Sequence, residues 1–517
     1  MQGRLPSEPS ATALLTHARS VVPLGISLLF SVLVLTYLTA SRGAMASLGV
    51  ATLVGVIIVM VLWTELATLA VVCLLYLNLM AIAVQELHLS EWVAAMGALP
   101  LCLPLASHLV LRRERIKTGR LLFLMGVFLV CLLLSSFFAE DHDLAAQRIL
   151  TYLFEGLLLY FLVFNVIRDL RTLKRVMWVL VLGAAFLGSL SLYQEVTGAY
   201  DQQFGGLAQR NLSSEDDAEE MGDSGGRAKP LVVLADRAGG PLNAPNRHAQ
   251  NALMVLPFAI FLLWYEKSRL RRLVAVGSAL LILTAVILSY SRGAFVTLAV
   301  LLLLVALVQR RRRWPVLVGG ALLLVLAVAI APGYRERITT LLGVQGLFSA
   351  QASAQPDHVT RGRTTEMLAA LYVFLDHPIL GVGPGQYAPF YSMSYHMNPE
   401  IALRYLPKSR RAHSLYAELA AETGILGLTV FLSIVGWLLY RLWQARRKWA
   451  FVRPDLANLA TTFVFSIAAY LGTAMFLHLS YERYYWLLLA VASAALQIGS
   501  AEDRSMRRHP YRHGIQS

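Results

Sequence analysis

The stretch HSLYAELAAETGILGLTVFLSIVGWLLY, His413–Tyr440, decides the fold. Its apolar part is longer than the ~20 residues that carry a helix across a bilayer. A basic cluster, Arg441, Arg446, Arg447 and Lys448, follows it, and a polar loop of mixed charge precedes it. Such a run reads as a membrane span with its positive end held on the cytoplasmic side. A histidine marks the other end, where the loop re-enters the apolar helix. Glu418 and Glu422 follow within the first turns, and then the pair Gly424 and Gly427. An imidazole at a membrane–water boundary can exchange a proton in a half-dry site.

Similar runs recur from end to end. The chain has 517 residues, of which 57% are hydrophobic and only 15% charged, far fewer charges than a soluble chain of this length carries. The expected fold is an all-α polytopic membrane protein of about 12–14 transmembrane helices, since only helices satisfy their own backbone in lipid without a closed barrel. The net charge of +14 is concentrated in short clusters between spans: Arg112–Arg120, Arg168–Arg175, Lys267–Arg272, Arg310–Arg313 and Arg441–Lys448. That placement marks cytoplasmic loops, and without aromatic or glycine interleaving it argues against nucleic-acid binding. The cysteines Cys73, Cys102 and Cys131 all lie in apolar runs and read as small buried side chains.

This pattern divides the chain into a cytoplasmic tail (1–20), an N-terminal transmembrane bundle (21–196), an extracytoplasmic loop (197–248), central spans (249–332), a larger extracytoplasmic loop (333–413), C-terminal spans (414–500) and a cytoplasmic tail (501–517). No cleavable leader is evident. The first loop carries an acidic, glycine-rich tract, Ser213–Gly226, whose composition does not favour a packed core. In the second loop Met367, Leu368, Leu371, Tyr372 and Leu375 form a helical face that suits capping the bundle. His377–Pro378 should end that helix. The turn GVGPGQY, Gly381–Tyr387, follows, then an aromatic stretch of Phe390, Tyr391, Tyr395 and Tyr405 that suits either an interfacial belt or sugar stacking.

Several polar groups gather on the outer side. Arg237 stands in RAGGPLNAPNRHAQN, where Gly239, Gly240, Pro241 and Pro245 make a turning entry to a span, and Asn243 and Asn246 can anchor the turn or a ligand. Arg292 stands in SYSRGA at a span end, Arg361 and Arg363 precede the loop helix, and His413 opens the span beyond. His248, beside Asn246, is a second candidate histidine. Single arginines at span ends usually snorkel to the interface. Several together suit phosphate oxygens, which guanidinium forks bind bidentately without losing charge. Asp141-His142-Asp143 reads as a short acidic outer loop rather than a metal site, and no Walker, dinucleotide-binding, zinc or serine-elbow motif is evident. No metal or cofactor is expected.

Taken in order, these segments resemble the O-antigen ligase and polymerase superfamily of bacterial envelope enzymes. His413-Ser414, nine residues, Gly424, two residues and Gly427 fit its histidine–glycine pattern. Arg363 followed by DHPILGVGPGQY resembles its arginine, helix and glycine block, and PLNAPN and LSYSRGA resemble its asparagine and Ser-Arg-Gly segments. The likeness runs from about Arg237 to Gly427, under half of the chain.

The resemblance implies a metal-independent glycosyltransferase in the bacterial inner membrane with its site on the periplasmic side. The donor would be a glycan on undecaprenyl pyrophosphate, the acceptor a glycan or lipid A-core, and a chain-length regulator is a conceivable protein partner. By analogy Arg237 and Arg292 would hold the pyrophosphate, Arg363 would bind phosphate or brace the outer helix, and His413 would orient the acceptor hydroxyl or take its proton. Asn246, Glu418, Glu422, Gly424 and Gly427 would support them, Glu418 or Glu422 by orienting His413 or pairing with an arginine. The chain's length and its acidic insertion tilt the reading toward a repeat-unit polymerase in exopolysaccharide or O-antigen synthesis, with O-antigen ligase as the alternative. A lipid-linked oligosaccharide flippase is the reading from a different class. It would call for ionisable groups at mid-membrane and repeated halves, and the chain has neither signal.

Overall fold

A computed structural model describes residues 58–86, 96–211, 237–308, 358–398, 409–478 and 482–508, with a few single positions between them. The expected tail 1–20, the expected spans at 21–38 and across most of 315–332, the tract Ser213–Gly226, Tyr405 and the end of the C-terminal tail lie outside these residues.

Two compact units are formed. The smaller comprises residues 1–68 and 100–115. Among its described residues His108 pairs with Glu114 at 3.3 Å and Arg112 donates to the Thr64 hydroxyl at 3.4 Å. The larger, residues 69–99 and 116–517, holds every candidate site residue that the sequence singled out.

Among the described residues of the larger unit, eight helices are long and apolar enough to cross a bilayer: α1 (Arg120–Phe138), α2 (His142–Val166), α3 (Leu170–Thr197), α4 (Pro245–Tyr265), α5 (Arg269–Leu288), α8 (Leu415–Trp449), α9 (Pro454–Thr473) and α10 (Arg483–Arg504). Between them lie the shorter apolar helix α6 (Arg292–Val308) and the loop helix α7 (His358–Asp376). The chain is an all-α polytopic membrane protein. Burial separates the eight. Most of α4, α9 and α10 is enclosed (78%, 72% and 83%), whereas α1 and α5 are only 33% and 28% buried and leave Phe123, Leu273 and Leu280 for lipid. The enclosed three therefore form the centre.

Local chemistry sets the helix ends, and several differ from the sequence reading. Asp141 is not loop. It caps α2 by accepting the Leu144 amide at 2.9 Å, so His142 and Asp143 lie in the first helical turn. Pro245 begins α4, which draws Asn246, Arg247 and His248 out of the expected turn into the helix. At its C-terminal end α8 continues through Arg446, Arg447 and Lys448, where cations favour a helix C-terminus. The expected span at 66–84 is interrupted at Asn78, whose φ is +59°, leaving helices Thr64–Tyr76 and Leu79–Glu86. A small antiparallel pair, β1 (Gln209–Asn211) with β2 (Arg237–Gly240), breaks the helical pattern and sets Arg237 opposite Asn211.

Helix α7 turns a different face inward than its apolar periodicity suggested. Its buried positions are Thr365, Glu366, Ala369, Ala370 and Val373, while Leu371 and Leu375 are 44% and 59% exposed. The small residues win because they let α7 approach closely: Ala370 and Val373 share a cluster with Val382, Tyr387, Ala412 and Ala421. A face of leucines would hold the helix farther off.

Candidate active site at one end of the bundle

The alternation of the spans brings the starts of α4, α6 and α8 and the end of α9 to one end of the larger unit, opposite the basic clusters that close α4 and α8. The Leu415 amide, in the first turn of α8, donates to the Ala474 carbonyl just past α9 at 3.0 Å, which ties two of these ends directly.

A broken helix builds the centre of the site. Inside α8, Gly424 has φ 61° and ψ −166°, a region that essentially only glycine occupies. The turn after α7 crosses this break and takes up its backbone groups. Ile425 N–H donates to Pro378 O at 2.8 Å, Val382 N–H to Ala421 O at 3.0 Å and Gly383 N–H to Glu422 O at 3.0 Å. Irregular backbone at a membrane boundary needs such partners. Two glycines permit this packing, since a Cβ on Gly381 would overlap the Ala421–Glu422 backbone and one on Gly424 that of Ile379, while one on Gly427 would meet the Thr423 side chain of its own helix.

His413 sits one residue ahead of the α8 N-cap. Ser414 caps the helix by accepting the Ala417 amide at 3.4 Å. His413 itself has φ 46°, an uncommon conformation for a residue with a Cβ, and its side chain is 14% exposed. Its Nε2 lies 3.6 Å from Glu366 Oε2, and its ring meets that of His478 edge-on at 5.8 Å. Burial first, then the arginines Arg363, Arg410, Arg247 and Arg411, hold the imidazole well below its ordinary value of 6.5. His413 is therefore a neutral imidazole at neutral pH. The sign follows directly: because the folded value is depressed, the base form survives below pH 6.5. A reaction that needs it should keep its rate from pH 7.5 down to 6.5 and decline only in more acid solution. Initial rates across that range check this, and an acid limb at or above pH 6.5 contradicts it.

Of the two carboxylates expected to orient His413 or to pair with an arginine, Glu418 pairs with Arg411. Glu418 accepts from Arg411 Nε at 2.9 Å and also from its Nη2, and its other oxygen accepts the Ala412 amide at 3.1 Å. It thus fixes the two residues before the histidine. Glu422 and Glu418 line a small cavity of about 60 Å³ with Arg148, Tyr152, Pro384 and Arg411.

Arg237 is 6% exposed and partly engaged by the protein. Its Nε donates to Ser289 O at 3.0 Å and its Nη2 to Asn246 Oδ1 at 3.1 Å. This explains Asn246, which holds that guanidinium from the first turn of α4. The SYSRGA segment is a tight corner: Ser289 ends α5, Tyr290 adopts φ 50°, Ser291 accepts the Ala294 amide at 3.4 Å and Arg292 is the first residue of α6. Arg292 is half-buried. A Cβ on the next residue, Gly293, would come within 2.8 Å of the Phe476 ring, so α6 starts against the segment that leads to His478. His248 packs beneath the strand end, where a Cβ on Gly240 would overlap its ring.

Five residues of the site escape the sequence reading: Arg247, Glu366, Arg410, Arg411 and His478. Arg247 is 5% exposed, donates to Gln250 Oε1 at 3.2 Å and also bonds the His478 carbonyl. Burial, then Arg411, Arg247, His413 and Arg148, hold His478 well below the ordinary range, so it too is neutral. Two neutral imidazoles among arginines from α4, α7 and the 410–411 loop form a site suited to a polyanion and a proton acceptor together.

Residues 277–432 match the family model described as O-antigen ligase. The matched stretch contains Arg292, Arg363, Glu366, the Gly381–Gly385 turn, His413, Gly424 and Gly427, and it begins after Arg237, Asn246 and Arg247. No curated protein matches the chain.

Proposed function

We propose, for a chain whose residues 277–432 match the O-antigen ligase family model, that it transfers a glycan from undecaprenyl pyrophosphate to an acceptor sugar hydroxyl at the outer face of the bacterial inner membrane. The observation that carries this reading is the largely buried His413, 3.6 Å from Glu366 and 5.8 Å from the ring of His478, whose carbonyl Arg247 bonds, at the end of the bundle away from the basic clusters.

The acceptor oxygen attacks the anomeric carbon as the bond from that carbon to the pyrophosphate oxygen breaks. The electron pair leaves with the pyrophosphate, and the acceptor proton passes to the His413 imidazole. Attack opposite the leaving group inverts the anomeric centre. Arg292 and Arg363 face the departing phosphates. Arg237, bonded to Ser289 O and Asn246, braces the corner that carries Arg292. Positioned cations of this kind stabilise charge that develops on a leaving group.

Of the two acceptor classes we favour one new repeat unit that receives the growing chain, a polymerase reaction, because of the chain's length and the Ser213–Gly226 insertion. Purified protein supplied with a lipid pyrophosphate-linked repeat unit and no added metal should produce a ladder of longer glycans. If no ladder appears until lipid A-core is added, the enzyme is a ligase. Arg292→Lys keeps the charge but loses the fork. We expect it to lower transfer about 10-fold or more, in line with the loss of a charge-assisted bidentate contact. A lysine variant as active as the arginine enzyme would remove the bidentate pyrophosphate role.

A further inference from the structure

Glu366 is 1% exposed, on the face of α7 that packs against the site. Buried carboxylates are retained where a positive partner or a reaction needs them. One of its oxygens lies 3.6 Å from His413 Nε2 and the other 3.7 Å from Arg410 Nη1. Its backbone is also held: the Tyr387 hydroxyl donates to the Glu366 carbonyl at 3.0 Å. Burial above all, and then the charges of Glu418, Glu366 and Glu422, raise the Tyr387 phenol well above its usual value, so it remains a donor. Tyr387 closes the GVGPGQY turn, whose glycines lock onto the break in α8. A continuous set of contacts thus runs from the break through Tyr387 to Glu366 and His413.

We propose that Glu366 is the positioning residue of the reacting histidine: it orients the His413 ring through Nε2 and stabilises the imidazolium formed when that ring takes the acceptor proton. This rests on the reading of His413 given above. Glu366 stays a carboxylate throughout; the proton resides on His413 until it leaves to solvent. The arrangement is economical in a site so rich in arginine. Arg363, Arg410, Arg247 and Arg411 keep His413 neutral before reaction, yet the same charges oppose its protonation during it. A single buried carboxylate on the ring offsets them locally. Glu418 does not fill this role, since Arg411 and the Ala412 amide occupy both of its oxygens.

The test compares four full-length proteins in the lipid pyrophosphate-linked transfer assay: unaltered, His413→Ala, Glu366→Gln and Glu366→Asp. For Glu366→Gln we expect kcat to fall about 10- to 100-fold while KM for the donor changes less than about two-fold, as for an interaction made mainly in the transition state. Loss of the negative charge beside His413 should also move the acid limb of the rate to lower pH. The groups that face the ring from α4, α7, the 410–411 loop and the segment after α9 are Arg247, Arg363, Arg410, Arg411 and His478, and all remain in this variant. Glu366→Asp keeps the charge and should leave the acid limb near that of the unaltered protein, with a smaller loss of rate. Glu366→Gln that retains both rate and limb, while His413→Ala is inactive, overturns the proposal alone. So does equal loss in the Gln and Asp variants with an unmoved limb, the signature of a purely structural residue. Full activity in His413→Ala overturns the underlying reading and this proposal together.

Discussion

His413→Ala should lose glycan transfer by about 10²- to 10⁴-fold, the range that a positioned general base contributes. The variant should remain inserted and folded, because the elements around residue 413 are fixed by backbone contacts that survive the change. Ser414 still caps α8, the Leu415 amide still reaches Ala474 O, and the Ala412 amide still bonds Glu418. Alanine removes an imidazole that lies 3.6 Å from Glu366 and 5.8 Å from the ring of His478. His478 remains in the variant, with its carbonyl bonded by Arg247. Normal glycan length in cells carrying the variant, with the protein at normal abundance in the membrane, would end the assignment of His413 as base.

Gly424→Ala should be nearly as damaging, and by a different route. The φ of 61° with ψ of −166° costs a residue with a Cβ about 1–3 kcal/mol. The new methyl would also overlap the backbone of Ile379, which has no flexible end to move aside. Relief requires either a straightened α8, which expels the 378–383 turn, or a shift of that turn and with it Tyr387 and Glu366. Together we expect a loss of about 3 kcal/mol or more, the large-effect class of backbone substitutions, and loss of transfer with it. Gly436→Ala, in the same helix with no atom within 4 Å of its new methyl, is the matched control and should be neutral or slightly stabilising by helix propensity. Thermal unfolding of the two variants in detergent checks this. Equal stability would show that the break in α8 is not held as described.

The transmembrane architecture was legible in the sequence because lipid leaves few alternatives: run length gives the spans and arginine placement gives their ends. His413, Gly424 and Gly427 were legible from their spacing. The partners were not. Glu366 was hidden because periodicity picks the face with the largest side chains, and α7 packs by its smallest. Arg247 was hidden behind the prolines and asparagines of its segment, and His478 at the end of an apolar run. Nothing in a linear reading joins the turn at 378–383 to a helix break more than forty residues later, because the bonds between them are backbone bonds. The bonds that Arg237 gives to Ser289 O and Asn246 were likewise not legible, because they join residues on separate elements.

The central claim is that the chain breaks the bond between a glycan and its lipid pyrophosphate. The most direct measurement places the purified protein in sealed vesicles with a labelled lipid pyrophosphate-linked repeat unit and follows the free polyprenyl pyrophosphate released. Release in step with glycan lengthening or acceptor glycosylation, absent in His413→Ala, is the predicted result. Intact lipid-linked glycan that only changes leaflet, with no free pyrophosphate carrier, would contradict it and make the protein a transporter.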